Sequence, residues 1–461
     1  MPRTPQGHLP FEYQLSDKDD DVTSFGGLPI VLDMFRGLRI DEAIRKYVRV
    51  AHRPRRHDEV SVIESTVLTM AAGGDCMDDF SRFVADKALQ RMLGREFPSP
   101  DTVRRLLYEF HDESLIEAAR KALPAGEVAY IPEENAALQG LGKVLGYSAR
   151  ALAAQGSCTT ATLDVDATIQ CSEKREAKFH YEGERGYQPT LGVWVEQDVI
   201  VATEFRDGNV PAAKGLLGFI KKAFAELPDT VTHRRLRSDS AAHQTEILLW
   251  LLEQAIEFTI SAKMTAPLVE ACTAYQDWKL LEERKNDDVY IGETFYFLSD
   301  WPLGVKQPRV LVLKLVPKQG KLFDEGYGPK YLAVFTNREG TPEELVRWHW
   351  GKAGTIEHVH HVLKNELGAG TLPCGRFGAN AAWLRLAALT YNVLSALKAI
   401  VLPPDLQDAR PKKLRFQVFT LPAVVSFHAR RLWARLQNGV LRAKELVAGR
   451  PKVLGLRPAL I

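Results

Sequence analysis

The chain of 461 residues is poor in cysteine pairs, in long apolar runs and in net charge. Its five cysteines (Cys76, Cys158, Cys171, Cys272 and Cys374) stand scattered, with no Cys-x2-Cys spacing. That argues against a zinc knuckle or a disulfide framework and fits a reducing compartment. No apolar run reaches the length of a membrane span, and the opening MPRTPQGHLP lacks a signal-peptide core. A cytoplasmic protein is expected. The formal net charge is only +2, so the overall balance gives no argument for a nucleic-acid partner. Internal repeats, low-complexity tracts and a His-Glu-x2-His zinc motif are also missing.

What is present is the composition of a globular protein, 45% hydrophobic and 26% charged. The length predicts two or three domains. Charge is uneven: Asp17 to Asp21 hold an acidic cluster, whereas beyond Arg410 the lone acid Glu445 faces many Arg and Lys. Residues 1–25 read as a mobile arm. Residues 26–156 read as helical, including a capped basic helix in FPSPDTVRRLLYEFHD with Arg104 and Arg105 in its early turns. A short helix, a turn and that helix resemble a DNA-reading helix-turn-helix; a bundle that merely packs on its neighbour is the other reading.

From residue 157 the pattern turns to strands followed by helix–strand alternation, which implies an α/β mixed sheet flanked by helices. Strands are expected at 160–169, 187–195, 199–205, 235–239 and 258–262, with helices at 212–224 and 245–256. Residues 266–340 interrupt the alternation with a further β block, read as an inserted subdomain between core segments 157–265 and 341–402. A long apolar helix follows residue 378, and 403–461 form a basic region expected to be helical.

Three acids carry the chemistry. In WGKAGTIEHVHHVLKNEL, from Trp350, Ile356, Val359, Leu363 and Leu367 recur at helical spacing, while Glu357, His361 and Lys364 share another face. Asp164 and Asp166 alternate with Leu163 and Val165, so both carboxylates leave the same side of a strand. Asp239 ends a second strand, at the edge where open α/β sheets place ligands. Hard oxygen ligands of this kind suit Mg²⁺ or Mn²⁺. Two such ions roughly 4 Å apart can activate a nucleophile and stabilise the leaving oxygen of a phosphodiester. A zinc role for His358, His360 and His361 is disfavoured, since only His361 shares the Glu357 face.

On these residues the chain resembles the DDE transposases of bacterial insertion sequences, in the group with a Tyr-x2-Arg-x3-Glu-x6-Lys signature. Glu357 and Lys364 match its second half; Trp350 stands at the Tyr position and Ala353 at the Arg position, with Lys352 adjacent. The resemblance implies a ribonuclease H-like core with a β insertion, preceded by a helical DNA-binding domain. It selects Asp166, followed by Ala167-Thr168, over Asp164, and implies Asp166, Asp239 and Glu357 as the catalytic ligands of two Mg²⁺ (or Mn²⁺) ions. It further implies a bacterial, nucleoid-associated enzyme that cleaves terminal inverted repeats and joins 3′-hydroxyl ends to target DNA, as a homodimer on double-stranded DNA. Lys364, His361, Trp350, Lys352, Arg104 and Arg105 are the expected DNA contacts. The departures at Trp350 and Ala353 leave a second expectation, an inactive remnant that still binds the element's ends.

Overall fold

A computed structural model describes residues 21–50, 56–318 and 328–456. Most of the arm assigned to residues 1–25 lies outside them. Its last residues are packed rather than mobile: Val22–Thr23 form a short strand, and Thr23 and Phe25 are buried.

The N-terminal region is helical. Helix α1 (Glu59–Ala72) starts where the Asp58 carboxylate accepts from the Ser61 amide at 2.8 Å, and it ends on Gly73, whose φ of 99° suits a residue without Cβ. Helix α2 (Pro100–Glu109) is capped by Ser99, with Pro100 at its first position. Helix α3 (Ala136–Ala153) is capped by Asn135 and buried along most of its length.

The sheet has nine strands. Strands β1 (Thr160–Ala167), β2 (Thr190–Trp194) and β3 (Val199–Glu204) form an antiparallel meander. Helix α4 (Leu216–Ala225) then leads to β4 (His233–Ser238), and α5 (Thr245–Glu253) to β5 (Glu257–Ser261). Strand β4 lies parallel to β1, and β5 parallel to β4. This is the mixed sheet of a ribonuclease H-like core, with helices on its flanks.

The inserted β block does not make a sheet of its own. Strands β6 (Lys279–Glu283), β7 (Asp287–Thr294), β8 (Arg309–Pro317) and β9 (Lys330–Thr336) run as a meander whose last strand pairs antiparallel with β5, Thr336 opposite Thr259. The free backbone groups of the β5 edge are thereby satisfied. Alternation along the insertion sends residues to two cores. Val310, Val312, Ala333 and Phe335 join the main one, while Leu311, Leu313 and Val334 pack with Leu345 and Val346 in a second.

Leu345 and Val346 belong to α6 (Pro342–Trp350), which a capping box at Thr341 and Glu344 starts. Helix α7 (Ile356–Glu366) follows, then α8 (Phe377–Ile400), buried without a break from Gly378 to Leu397. Two of its interior polar side chains are fully engaged. Arg385 donates to Glu134, the Leu138 carbonyl and Thr203, and the Asn392 amide brackets the backbone N–H and C=O of Ile200. Among the described residues no helix is long and apolar enough to cross a membrane.

The C-terminal region, expected to be helical, instead carries a hairpin of β10 (Ala423–His428) and β11 (Arg431–Leu436) before helix α9 (Ala443–Leu454). Basic composition masks the local signal: Val424, Val425, Phe427 and Trp433 favour extended backbone, and Ala429-Arg430 form the two-residue turn.

Candidate active site

The β1–β4 register builds the site. Asp164 lies opposite Arg237 and Val165 opposite Ser238. One residue beyond that last matched pair stand Asp166, near the end of β1, and Asp239, just past the end of β4.

Asp164 is consumed by the scaffold. Fully buried, it receives both Nε and a terminal nitrogen of Arg237, at 2.6 and 2.8 Å, and the Thr355 hydroxyl as well. Arg237 also donates to the Trp348 carbonyl at 2.7 Å and to Thr355 at 3.3 Å, and its guanidinium lies 5.2 Å from the Trp348 ring. One buried ion pair therefore ties β1 and β4 to the end of α6 and the start of α7, where Glu357 sits in the first turn.

Asp166 keeps partial access to solvent. Lys352 Nζ approaches its carboxylate at 3.1 Å. Burial holds the Asp166 carboxyl above the usual range; Lys352 opposes that, and the charges of Asp239 and Glu357 reinforce it. Asp239 and Glu357 thus each lie within electrostatic reach of Asp166. Asp239 caps a short helical turn through the Ala241 amide at 3.1 Å, and Glu357 is exposed. The ligand atoms of the three acids do not all lie within 4.8 Å of one another; like charges repel, and Lys352 pairs with Asp166.

A family model described as "Transposase DDE domain group 1" matches residues 13–453. The chain belongs to this family of DDE transposase domains. No curated protein matches it. Among solved structures it is similar to a piggyBac transposase in a synaptic complex with hairpin DNA, at 10% identity and a TM-score of 0.42, over 86% of this chain and 78% of that one.

In this transposase domain the other expected contacts are dispersed. Lys364, on α7, donates to the Thr168 hydroxyl at 2.6 Å and to the Ile169 carbonyl, and burial lowers its pKa. It pins the segment just after β1 to α7. His361 is exposed and meets Asn365 one turn on. Trp350 stacks against Arg284 of the insertion, 4.9 Å from guanidinium to ring centre, in an open groove that Arg347, Lys352 and Glu357 also line. Arg104 and Arg105 are exposed on α2, remote in sequence from this groove, and Arg104 is paired with Asp101 at 2.7 Å.

Among the described residues no set of ligand atoms within 4.8 Å of one another includes His358, His360 or His361. His349 bridges Thr259 and Ser261, each at 2.9 Å, and burial lowers its pKa to about 4. Burial lowers that of His360 to about 3. Ligand atoms of Cys171, His180 and Glu184 do lie within 4.8 Å of one another. The His180 Nδ1, however, accepts from the Glu182 amide, which leaves the proton on the nitrogen facing Cys171. In Asp75, Cys76 and Asp79, one oxygen of the Asp79 carboxylate, Oδ2, accepts from both the Asp75 and Cys76 amides.

Sequence reasoning missed Arg237, Thr355 and Arg284. The signal for Arg237 was available: it precedes Asp239 by the same two residues by which Asp164 precedes Asp166.

Proposed function

We propose that this chain is the transposase of a bacterial insertion sequence, of the group with the Tyr-Arg-Glu-Lys signature. It cleaves DNA at the element's terminal inverted repeats and joins the freed 3′-hydroxyls to target DNA. The observation that carries the reading is the β1–β4 register, in which Asp164 pairs with Arg237 and Val165 with Ser238 so that Asp166 and Asp239 each follow the last matched pair, with the charges of Asp239 and Glu357 both acting on the Asp166 carboxyl. The donors are hard carboxylate oxygens around a partly buried acid whose ionisation calls for positive charge, which fits Mg²⁺ or Mn²⁺. Asp166, Asp239 and Glu357 would hold two such ions, which supply charge neutralisation and a more acidic water.

The chain's own residues do the rest. Arg237 and Thr355 hold the Glu357 helix against the acidic strands. Lys352, one residue before Ala353 at the signature's Arg position, keeps a cation beside Asp166. The Arg284–Trp350 groove offers positive charge and an aromatic face to a DNA strand. His361 and the α2 arginines, Arg104 and Arg105, extend the contact to DNA phosphates. Pairing two ends calls for a homodimer, acting at the nucleoid in the cytoplasm.

Ala353 favours a competing reading, an inactive remnant that binds ends without cutting them. A supercoiled plasmid bearing the cognate ends, incubated with the protein and Mg²⁺, tests both. Nicks at the ends that vanish in Asp166→Asn, with end binding retained, support the enzyme; binding without nicks in the native protein supports the remnant.

A further inference from the structure

The hairpin of β10 and β11 has no role in the site described above. Its base is held: Val22–Thr23 pairs with Val424 and Ala423, and Ala423 and Val425 are buried. Beyond Val425 the ribbon has only two strands, closed by a turn in which Ala429 and Arg430 both take positive φ, 50° and 60°. Turns of this kind match the twist of the flanking strands and make a stiff tip.

Cross-strand pairing sorts its side chains. One face carries Val424 opposite Arg435, Ser426 opposite Trp433, and His428 opposite Arg431. Trp433 therefore lies between two arginines, and at 46% exposure it is unusually open for a tryptophan. From Ala423 to Leu436 there is no acid. Among the described residues His428, Arg430, Arg431 and Arg435 have no ion-pair partner. Phe427, 74% exposed, projects from the other face near the tip.

We infer that this hairpin is a second DNA-contacting element, a ribbon that enters a groove of the duplex with Arg431, Trp433 and Arg435. The inference rests on the DNA-processing reading and adds a surface outside the acidic site. A two-stranded ribbon is of the width the major groove admits, and unpaired arginines on a ribbon with no acid of its own are complementary to phosphate. Charge also selects against a second copy: two β11 edges paired about Trp433 would set Arg431 of one copy against Arg435 of the other.

The test measures binding of the full-length protein to a fluorescent duplex carrying the terminal repeat, by anisotropy across a salt series without divalent ions. The variants are Arg431→Gln/Arg435→Gln and Trp433→Ala. The double variant should bind about 10-fold or more weakly near physiological salt, with the slope of log K against log salt reduced by roughly 2, since each phosphate contact contributes about 0.9. Trp433→Ala should weaken binding at an unchanged slope. All three positions are exposed, so circular dichroism melts should match the native protein. Native affinity and slope in the double variant, while the native protein binds, overturn the hairpin's role and leave the DNA-processing reading intact. No duplex binding by the native protein overturns both. Loss of self-association, or of binding to anionic vesicles, in place of duplex binding assigns the ribbon to another partner and overturns the inference.

Discussion

Arg237 grips Asp164 with two nitrogens, and both side chains are almost wholly withdrawn from solvent, at 5% and 0% exposure. Asp164 precedes Asp166 by two residues on β1, and Arg237 precedes Asp239, just past the end of β4, by two. An ion pair thus forms the floor on which the two acids stand. The same arginine reaches Trp348 and Thr355, so the floor also carries the helix that bears Glu357.

Removing one member leaves a buried charge alone. Arg237→Leu should cost about 3–5 kcal/mol in a urea melt. Asp164→Leu/Arg237→Met should recover most of that stability, because an apolar pair of similar volume avoids the desolvation penalty. End cleavage by the double variant should still fall about 10-fold or more, since the ties to Trp348 and Thr355 are gone. Full cleavage in a stable double variant would reduce the pair to a packing device.

Asp166 should work against stability near neutral pH. Its folded pKa is raised, mainly by burial, so the native chain holds that proton more tightly than the unfolded chain. The favourable contribution is full below the unfolded value and is lost as pH rises through the folded one. Asp166→Asn removes the cost and should melt about 1–2 °C higher at pH 7, the gap closing below about pH 4. The same variant should lose cleavage. A lower melting temperature at pH 7 would contradict the electrostatic account.

Lys352 occupies a place that a divalent ion would contest. Its ammonium stands 3.1 Å from Asp166, and two more acids lie within reach of that carboxyl. Lys352→Ala should tighten Mn²⁺ binding about 10-fold in calorimetry without DNA, equivalent to roughly 1.4 kcal/mol. It should also lower the metal-free melting temperature. Weaker Mn²⁺ binding would mean that the lysine organises the acids instead of competing for them.

Lys364 spends two donors inside the protein, on Thr168 and Ile169. Lys364→Met should therefore destabilise the fold by about 1–3 kcal/mol and leave the salt slope of duplex binding unchanged. A slope reduced by about 1 would assign it a phosphate contact.

Much of this was legible in the residues because its causes are local. Alternation in TATLDVDA marks a strand, Ser99-Pro100 marks a helix start, and the spacing of Ile356, Val359 and Leu363 marks the helix that presents Glu357. The β character of the insertion was equally plain, but its union with β5 was not, because edge pairing depends on which backbone groups the rest of the sheet leaves unpaired. The C-terminal hairpin was obscured by arginines whose exposure on a ribbon and on a helix looks the same in composition.

The sequence by itself determined which acids stand on strands and which on a helix, and that Asp164 and Asp166 share a side, because side-chain direction follows from backbone period. Only the tertiary structure decided that Asp164 is buried under Arg237 while Asp166 meets Lys352. The parallel register of β1 and β4 is set by burial across the whole sheet, and no neighbour in the chain records it.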